Sequence, residues 1–179
     1  GRLERRKGQD IFLRAAALAL KNEPRLRFAI VGAAEGDYGG LLRGLIRELG
    51  LDNHVVLAGR RNDMREVLSA LDILVVPSLE EAFGLAPVEG MLSGLPVIAA
   101  RAGALPEFVI EDRSGMLVPP ADPEALAAAL VTLASDPERR RSLGQSARAW
   151  ALENLSLERH FDALDRLYEE CLRKHNRRE

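Results

Sequence analysis

The sequence predicts an α/β fold: a parallel sheet with helices on both faces. Three observations predict it. Short apolar runs ended by glycine or proline recur: residues 27–31 (RFAIV) before Gly32, 54–58 (HVVLA) before Gly59, and 73–76 (ILVV) before Pro77. Segments of helical period stand between them. The composition, 47% hydrophobic and 29% charged over 179 residues, is enough for one real core.

The first helix is expected over residues 8–22, where Ile11, Phe12, Ala15, Ala16, Leu18 and Ala19 make a broad apolar face. A glycine-rich turn after Gly32 leads into a helix over residues 40–49, stopped by Gly50. Residues 62–70 read as a short helix with Asn62 or Asp63 as its N-cap. Residues 87–93 read as a helix, 96–99 (PVIA) and 115–118 as strands. Asp122 caps a helix to about residue 134, and Asp136-Pro137 opens another. Ser156 starts a final amphipathic helix to about residue 174; the tail HNRRE is expected to fray. In that last helix Cys171 falls on a stripe with Phe161, Leu164, Leu167, Tyr168 and Leu172, and is expected to pack in a core. The whole reads as a single domain over residues 1–179, with an α/β core over 1–153 and a C-terminal helix and tail over 154–179.

The formal net charge of −2 gives no global field for nucleic acid or an anionic membrane, so any anionic ligand needs a local site. A single cysteine excludes an intrachain disulfide and fits a reduced, cytoplasmic setting. No apolar run is long enough to span a bilayer, and no signal peptide is visible. The start at Gly1, with no Met, suggests a fragment or a processed chain. His54, His160 and His175 lack metal-ligand spacing, and no Asp-x-Asp element is present to hold a cation on a diphosphate. Cofactors and metal are therefore expected to be absent. The turn 32–40 lacks the Gly-Lys-Ser/Thr ending of a phosphate loop and reads as a flexible strand-to-helix turn.

Ligands of parallel sheets bind beyond the carboxyl ends of the strands. That rule points to the N-terminal segment and to loops 32–40, 59–62 and 77–87. The informative stretch is residues 77–96, PSLEEAFGLAPVEGMLSGLP. It leaves a buried strand, passes Gly84, and enters a helix with Pro87 in its first turn, where proline needs no N–H donor. Backbone amides around Gly84 and Leu85 then form an anion site at a positive helix end. Glu81 and Glu89 flank it. Carboxylates beside a diphosphate make sense if each accepts hydrogen bonds from hydroxyls on either side, which is the layout of a nucleotide sugar: ribose, diphosphate, hexose. The bland alternative is that Glu89 complements the helix dipole and Glu81 is solvated. Arg2 and Lys7 lie just ahead of the first helix and supply positive charge, Arg2 as a fork and Lys7 as a point charge. Each such pair is worth roughly 4 kcal/mol at about 4 Å near a surface, before desolvation. Read alone, the segment is only a basic terminus.

The opening G-R-L-x-x-x-K-G and the block P-S-x-x-E-A-F-G-L-x-x-x-E-G-M-x-x-G-x-P-V-I-A resemble the retaining GT-B glycosyltransferases related to sucrose and glycogen synthases. Residues 103–107 (GALPE), 114–120 (SGMLVPP) and 122–126 (DPEAL) extend the likeness over nearly the whole chain. The resemblance implies the Rossmann-like C-terminal half of a GT-B fold and a nucleoside-diphosphate sugar as donor substrate. It implies that Arg2 and Lys7 hold the diphosphate, that Glu81 contacts the transferred hexose, and that the amides of Phe83, Gly84 and Leu85 meet sugar and phosphates. Glu89 would accept from the ribose, Arg60 in the segment 59–61 would lie along the nucleobase, and Gly32 would sit under the nucleotide. The catalytic candidates that the resemblance implies are thus Glu81, Lys7 and Arg2.

Three small departures occur: Ala82 and Ala104 where glycine is commoner, and Gly90 where alanine is commoner. The larger one is truncation. The family's strand directly before G-R-L is absent, as is the N-terminal acceptor-binding domain, the expected partner. A central strand is therefore expected to be missing from the sheet, and the chain alone is expected to be inactive. Any peripheral membrane contact is expected only through the absent domain. The implied reaction is sugar transfer to an acceptor hydroxyl with retention, by same-face attack or with Glu81 as nucleophile. The competing readings are a non-catalytic sugar-nucleotide-binding module, a sugar-nucleotide epimerase half-domain, and a flavodoxin-like binder.

Overall fold

The computed structural model describes residues 1–34 and 36–176. A 3-10 turn (Arg5–Lys7) precedes α1 (Gln9–Ala19), β1 (Phe28–Val31), α2 (Tyr38–Glu48), β2 (Val55–Gly59), α3 (Met64–Ser69) and β3 (Leu74–Val76). Then follow α4 (Leu85–Leu92), β4 (Val97–Ala100), α5 (Leu105–Phe108), β5 (Gly115–Val118), α6 (Pro123–Ser135), α7 (Pro137–Asn154) and α8 (Leu157–Asn176). All strand pairs are parallel. Helices cover both faces, which is the expected α/β, Rossmann-like class. β4 shows why. Ile98 packs into one core with Leu13, Leu42, Leu126 and Leu133 of α1, α2 and α6. Val97 and Ala99 pack into the other with Met91, Phe108 and Trp150 of α4, α5 and α7. Successive side chains leave opposite faces, so a strand apolar at every position is buried on both.

The strands form two sheets, β1-β2 and β3-β4-β5. Between the open edges of β1 and β3 runs a slot of about 500 Å³, lined by Phe28, Ile30, Ile73 and Val75 along its length. The expected lack of a central strand is thus a physical gap. One further parallel strand there, earlier in the chain, would give the order 3-2-1-4-5-6 of doubly wound dinucleotide-binding sheets.

The structure corrects several expectations. α2 begins at Tyr38 rather than residue 40, because the Tyr38 ring is buried and its hydroxyl is tied to Asp10. Asp63 stands at the N-cap of α3, but its carboxylate pairs with Arg61 and makes no cap hydrogen bond. Asp122 and Asp136 do cap, accepting from Ala125 N (2.8 Å) and Arg139 N (2.9 Å). The α5 turn was unforeseen, being one turn long. Cys171 is exposed, not in a core. The reason is that the α8 stripe, with Phe161, Leu167, Tyr168 and Leu172, faces solvent. Of the tail expected to fray, His175 and Asn176 belong to α8, while 177–179 lie outside the described residues. Among the described residues no helix is long and apolar enough to cross a membrane.

Candidate functional site

The N-terminal segment crosses the carboxyl ends of both sheets. Gly1 N donates to Val31 O (2.8 Å) and Leu3 N to Ala33 O (2.8 Å), which fixes the segment to the end of β1. Leu3 is buried beneath it. The 3-10 turn then carries the chain to the end of β3, where Leu79 N donates to Arg6 O (2.8 Å). Gly8 makes the approach possible. Its φ is +67°, and a β-carbon there would lie 2.1 Å from Pro77 O. A side chain would be strained by both conformation and overlap.

This crossing delivers Lys7 to Glu81. Lys7 Nζ donates to both carboxylate oxygens, at 2.9 and 2.7 Å. Ser78 Oγ, at the end of β3, donates to Glu81 Oε2 at 3.0 Å. The pair is sheltered, with side-chain exposures of 20% for Lys7 and 9% for Glu81. Lys7 is therefore not the ordinary solvated lysine, and Glu81 is not the solvated carboxylate of the bland alternative. Ser78, unforeseen in the sequence, completes the cluster. Its only signal was the Pro-Ser pair that closes the third apolar run.

Gly84 precedes α4 at φ +84°, with no side-chain cap on the helix start. The first amides of α4 thus have no side-chain acceptor and carry the positive end of the helix dipole. Pro87 is buried in that first turn, as expected. Leu85 and Phe83 are exposed beside it, and Phe83 leans on Phe108 with ring centroids 5.5 Å apart. Glu89 joins Gly1 and Lys7 at the mouth of the slot. Gly32 packs on the Gly1 carbonyl and donates its N–H to Gly59 O (2.8 Å), which brings loop 59–61 alongside. Arg60 is exposed in a shallow hollow with Arg61, Asp63 and Glu66. Arg2 has its guanidinium 3.6 Å from Glu4 and its carbonyl accepting from Gln9 Nε2 (2.9 Å).

The four loops named from the sequence therefore gather at one edge. The local electrostatics are set by short pairs. Arg6 hydrogen-bonds Glu4 and holds its carboxyl below the usual range, while its own guanidinium is raised in turn. Asp63 is lowered and Arg61 raised by their shared contact. Burial, then the hydrogen bond to Asp10, pushes the Tyr38 hydroxyl up. Tyr38 Oη donates to Asp10 Oδ1 at 2.8 Å, and Arg5 lies 5.9 Å from the centroid of its ring. These contacts lace the start of α2 to the basic N-terminal segment. No group of three His, Cys, Asp or Glu able to hold a metal occurs among the described residues.

The family model for glycosyl transferases group 1 matches residues 1–150. The chain belongs to that family. This group 1 glycosyl transferase chain is 39% identical to the D-inositol 3-phosphate glycosyltransferase of Corynebacterium kroppenstedtii, over 97% of the chain and 40% of the relative. Anabaena HepE, solved in complex with UDP, superposes with a TM-score of 0.88 at 31% identity, over 94% of this chain and 47% of that one. Sucrose-phosphate synthase of Thermosynechococcus elongatus gives 0.83 at 31%, over 97% and 44%. HepE has also been solved in complex with UDP-glucose. The glycosyl transferase chain thus spans less than half the length of these relatives, and the GT-B half it resembles is the C-terminal one.

Proposed function

We propose that this chain is the donor-binding half of a retaining glycosyltransferase that moves a sugar from a nucleoside diphosphate to an acceptor hydroxyl without metal. The observation that carries the reading is the Lys7–Glu81 pair set beside the uncapped start of α4, at the sheet edge where dinucleotide-type ligands bind. The UDP and UDP-glucose complexes of HepE favour it by likeness. In the reaction the bond from the anomeric carbon to the diphosphate oxygen breaks, and the acceptor oxygen takes that carbon. The acceptor proton passes to the leaving diphosphate. Negative charge grows on the diphosphate, and stabilising that growth is the site's main task. Lys7, Arg2 and the amides of Phe83, Gly84 and Leu85 are assigned to it. Glu81 is assigned to the hexose, Glu89 to the ribose, Gly32 and Arg60 to the nucleotide. Same-face attack within the ion pair is preferred to a Glu81 nucleophile, because hydrogen bonds from Lys7 and Ser78 lower the nucleophilicity of the carboxylate. Acceptor recognition is assigned to the N-terminal domain of the longer protein.

Glu89→Gln tests the ribose assignment. Charge-assisted hydrogen bonds contribute about 1.5–3 kcal/mol, so donor affinity is expected to fall about tenfold or more. The chemical step should change less, since ribose contacts are equal in ground and transition states. Titration calorimetry with the wild type and the variant checks this, and equal affinities contradict it.

A further inference from the structure

Glu81 is held through both its side chain and its backbone. Four features act on this residue. Lys7 Nζ binds both of its side-chain oxygens. Ser78 Oγ, only 2% exposed at the residue level, binds Oε2. Ala104 N donates to its backbone carbonyl at 3.1 Å. Gly103 presses on the same peptide, so that a β-carbon there would lie 1.8 Å from Glu81 O; its φ is +52°. The residue is thus anchored at both ends, by its peptide and by its carboxylate.

The roles differ. Lys7 is long and flexible, with three rotatable donors, and it shares its charge with any phosphate that arrives. Ser78 is short, buried and fixed at the end of β3, and among the described residues its side-chain partner is Glu81. A buried hydroxyl must find an acceptor, so Ser78 keeps its bond to Oε2 whatever Lys7 does. That leaves Oε1 as the carboxylate oxygen able to turn toward a ligand once Lys7 swings away.

We infer that Ser78 is a positioning residue for Glu81: its hydroxyl holds Oε2 so that Oε1 is presented in one orientation to the hydroxyls of the sugar moiety. This rests on the donor-binding reading above. It adds a specificity element, because an oriented acceptor distinguishes a nucleotide sugar from the nucleoside diphosphate alone.

Titration calorimetry of the full-length protein tests it. The probes are UDP, GDP, ADP and their glucose derivatives, and the pair that binds the wild type is carried forward. Ser78→Ala is expected to weaken the sugar nucleotide about tenfold while leaving the bare diphosphate unchanged. Ser78→Thr, which keeps the hydroxyl, is expected to restore the sugar-dependent gain, and Glu81→Gln to abolish it. The unchanged diphosphate affinity of Ser78→Ala also shows that this variant is folded, and circular dichroism checks the fold of Glu81→Gln. Equal losses for both ligands in Ser78→Ala overturn the inference, since they mark a purely structural role. Retention of the gain in Ser78→Ala, with its loss in Glu81→Gln, overturns Ser78 alone and leaves the function standing. A wild type that binds no nucleotide overturns both.

Discussion

Lys7→Ala is expected to lower the turnover of the full-length enzyme by about 10²–10³-fold, the scale seen when one donor to a developing negative charge is removed. Two effects combine. The leaving diphosphate loses a cation. Glu81, sheltered beside it, loses the ammonium that binds both its oxygens and keeps only Ser78. An uncompensated carboxylate would then face the phosphates and repel them. The two effects separate in a double-mutant cycle. Pairing Lys7→Ala with Glu81→Gln should recover part of the lost donor affinity, with a coupling of about 1–3 kcal/mol. Steady-state kinetics of the single variant check the main effect, and an unchanged turnover contradicts the role.

The second large effect concerns stability. Adding about five apolar, β-branched residues directly ahead of Gly1 is expected to raise the melting temperature by roughly 10–20 °C. The slot between β1 and β3 is the reason. Each strand has a hydrogen-bonded neighbour on one side only. Gly1 N already bonds Val31 O, so a strand ending at Gly1 would enter alongside β1 and run parallel to it. Phe28, Ile30, Ile73 and Val75 would gain apolar partners. Gln9 also lines the slot, and its buried Oε1 has no hydrogen-bond partner. Burying an apolar side chain contributes about 1.5–3 kcal/mol, against about 1–2 kcal/mol for ordering each residue's backbone. The newly paired amides and carbonyls tip the balance further, since unpaired buried backbone is costly. Thermal unfolding followed by circular dichroism decides it. A melting temperature unchanged by the apolar extension, and equal to that of a Gly/Ser extension, contradicts a strand-shaped gap.

How far the sequence was legible follows from range. Short-range patterns carried the fold. The runs 27–31 and 73–76 became β1 and β3, and Asp122 and Asp136 cap their helices as expected, because those signals act within a few residues. The loops of the site were legible because strand ends in a parallel sheet share one edge. What was not legible was pairing over distance. Lys7 and Glu81 are 74 positions apart, and both were singled out for a ligand rather than for each other. Ser78 and Gly103 act on Glu81 through contacts that no spacing announces. Cys171 misled because helical period shows that a face is apolar, not what covers it. Its stripe is real but exposed here.

The most direct measurement is a calorimetric titration of the wild-type protein with UDP, GDP and ADP and their glucose derivatives, in the presence of EDTA. One nucleotide series is expected to bind with a Kd on the order of 1 µM to 1 mM, its sugar form more tightly than its bare diphosphate, and with no change when Mg²⁺ is supplied. Absence of binding by every nucleotide, or binding that appears only with Mg²⁺, contradicts a pocket in which Lys7, Arg2 and the start of α4 take the place of a metal.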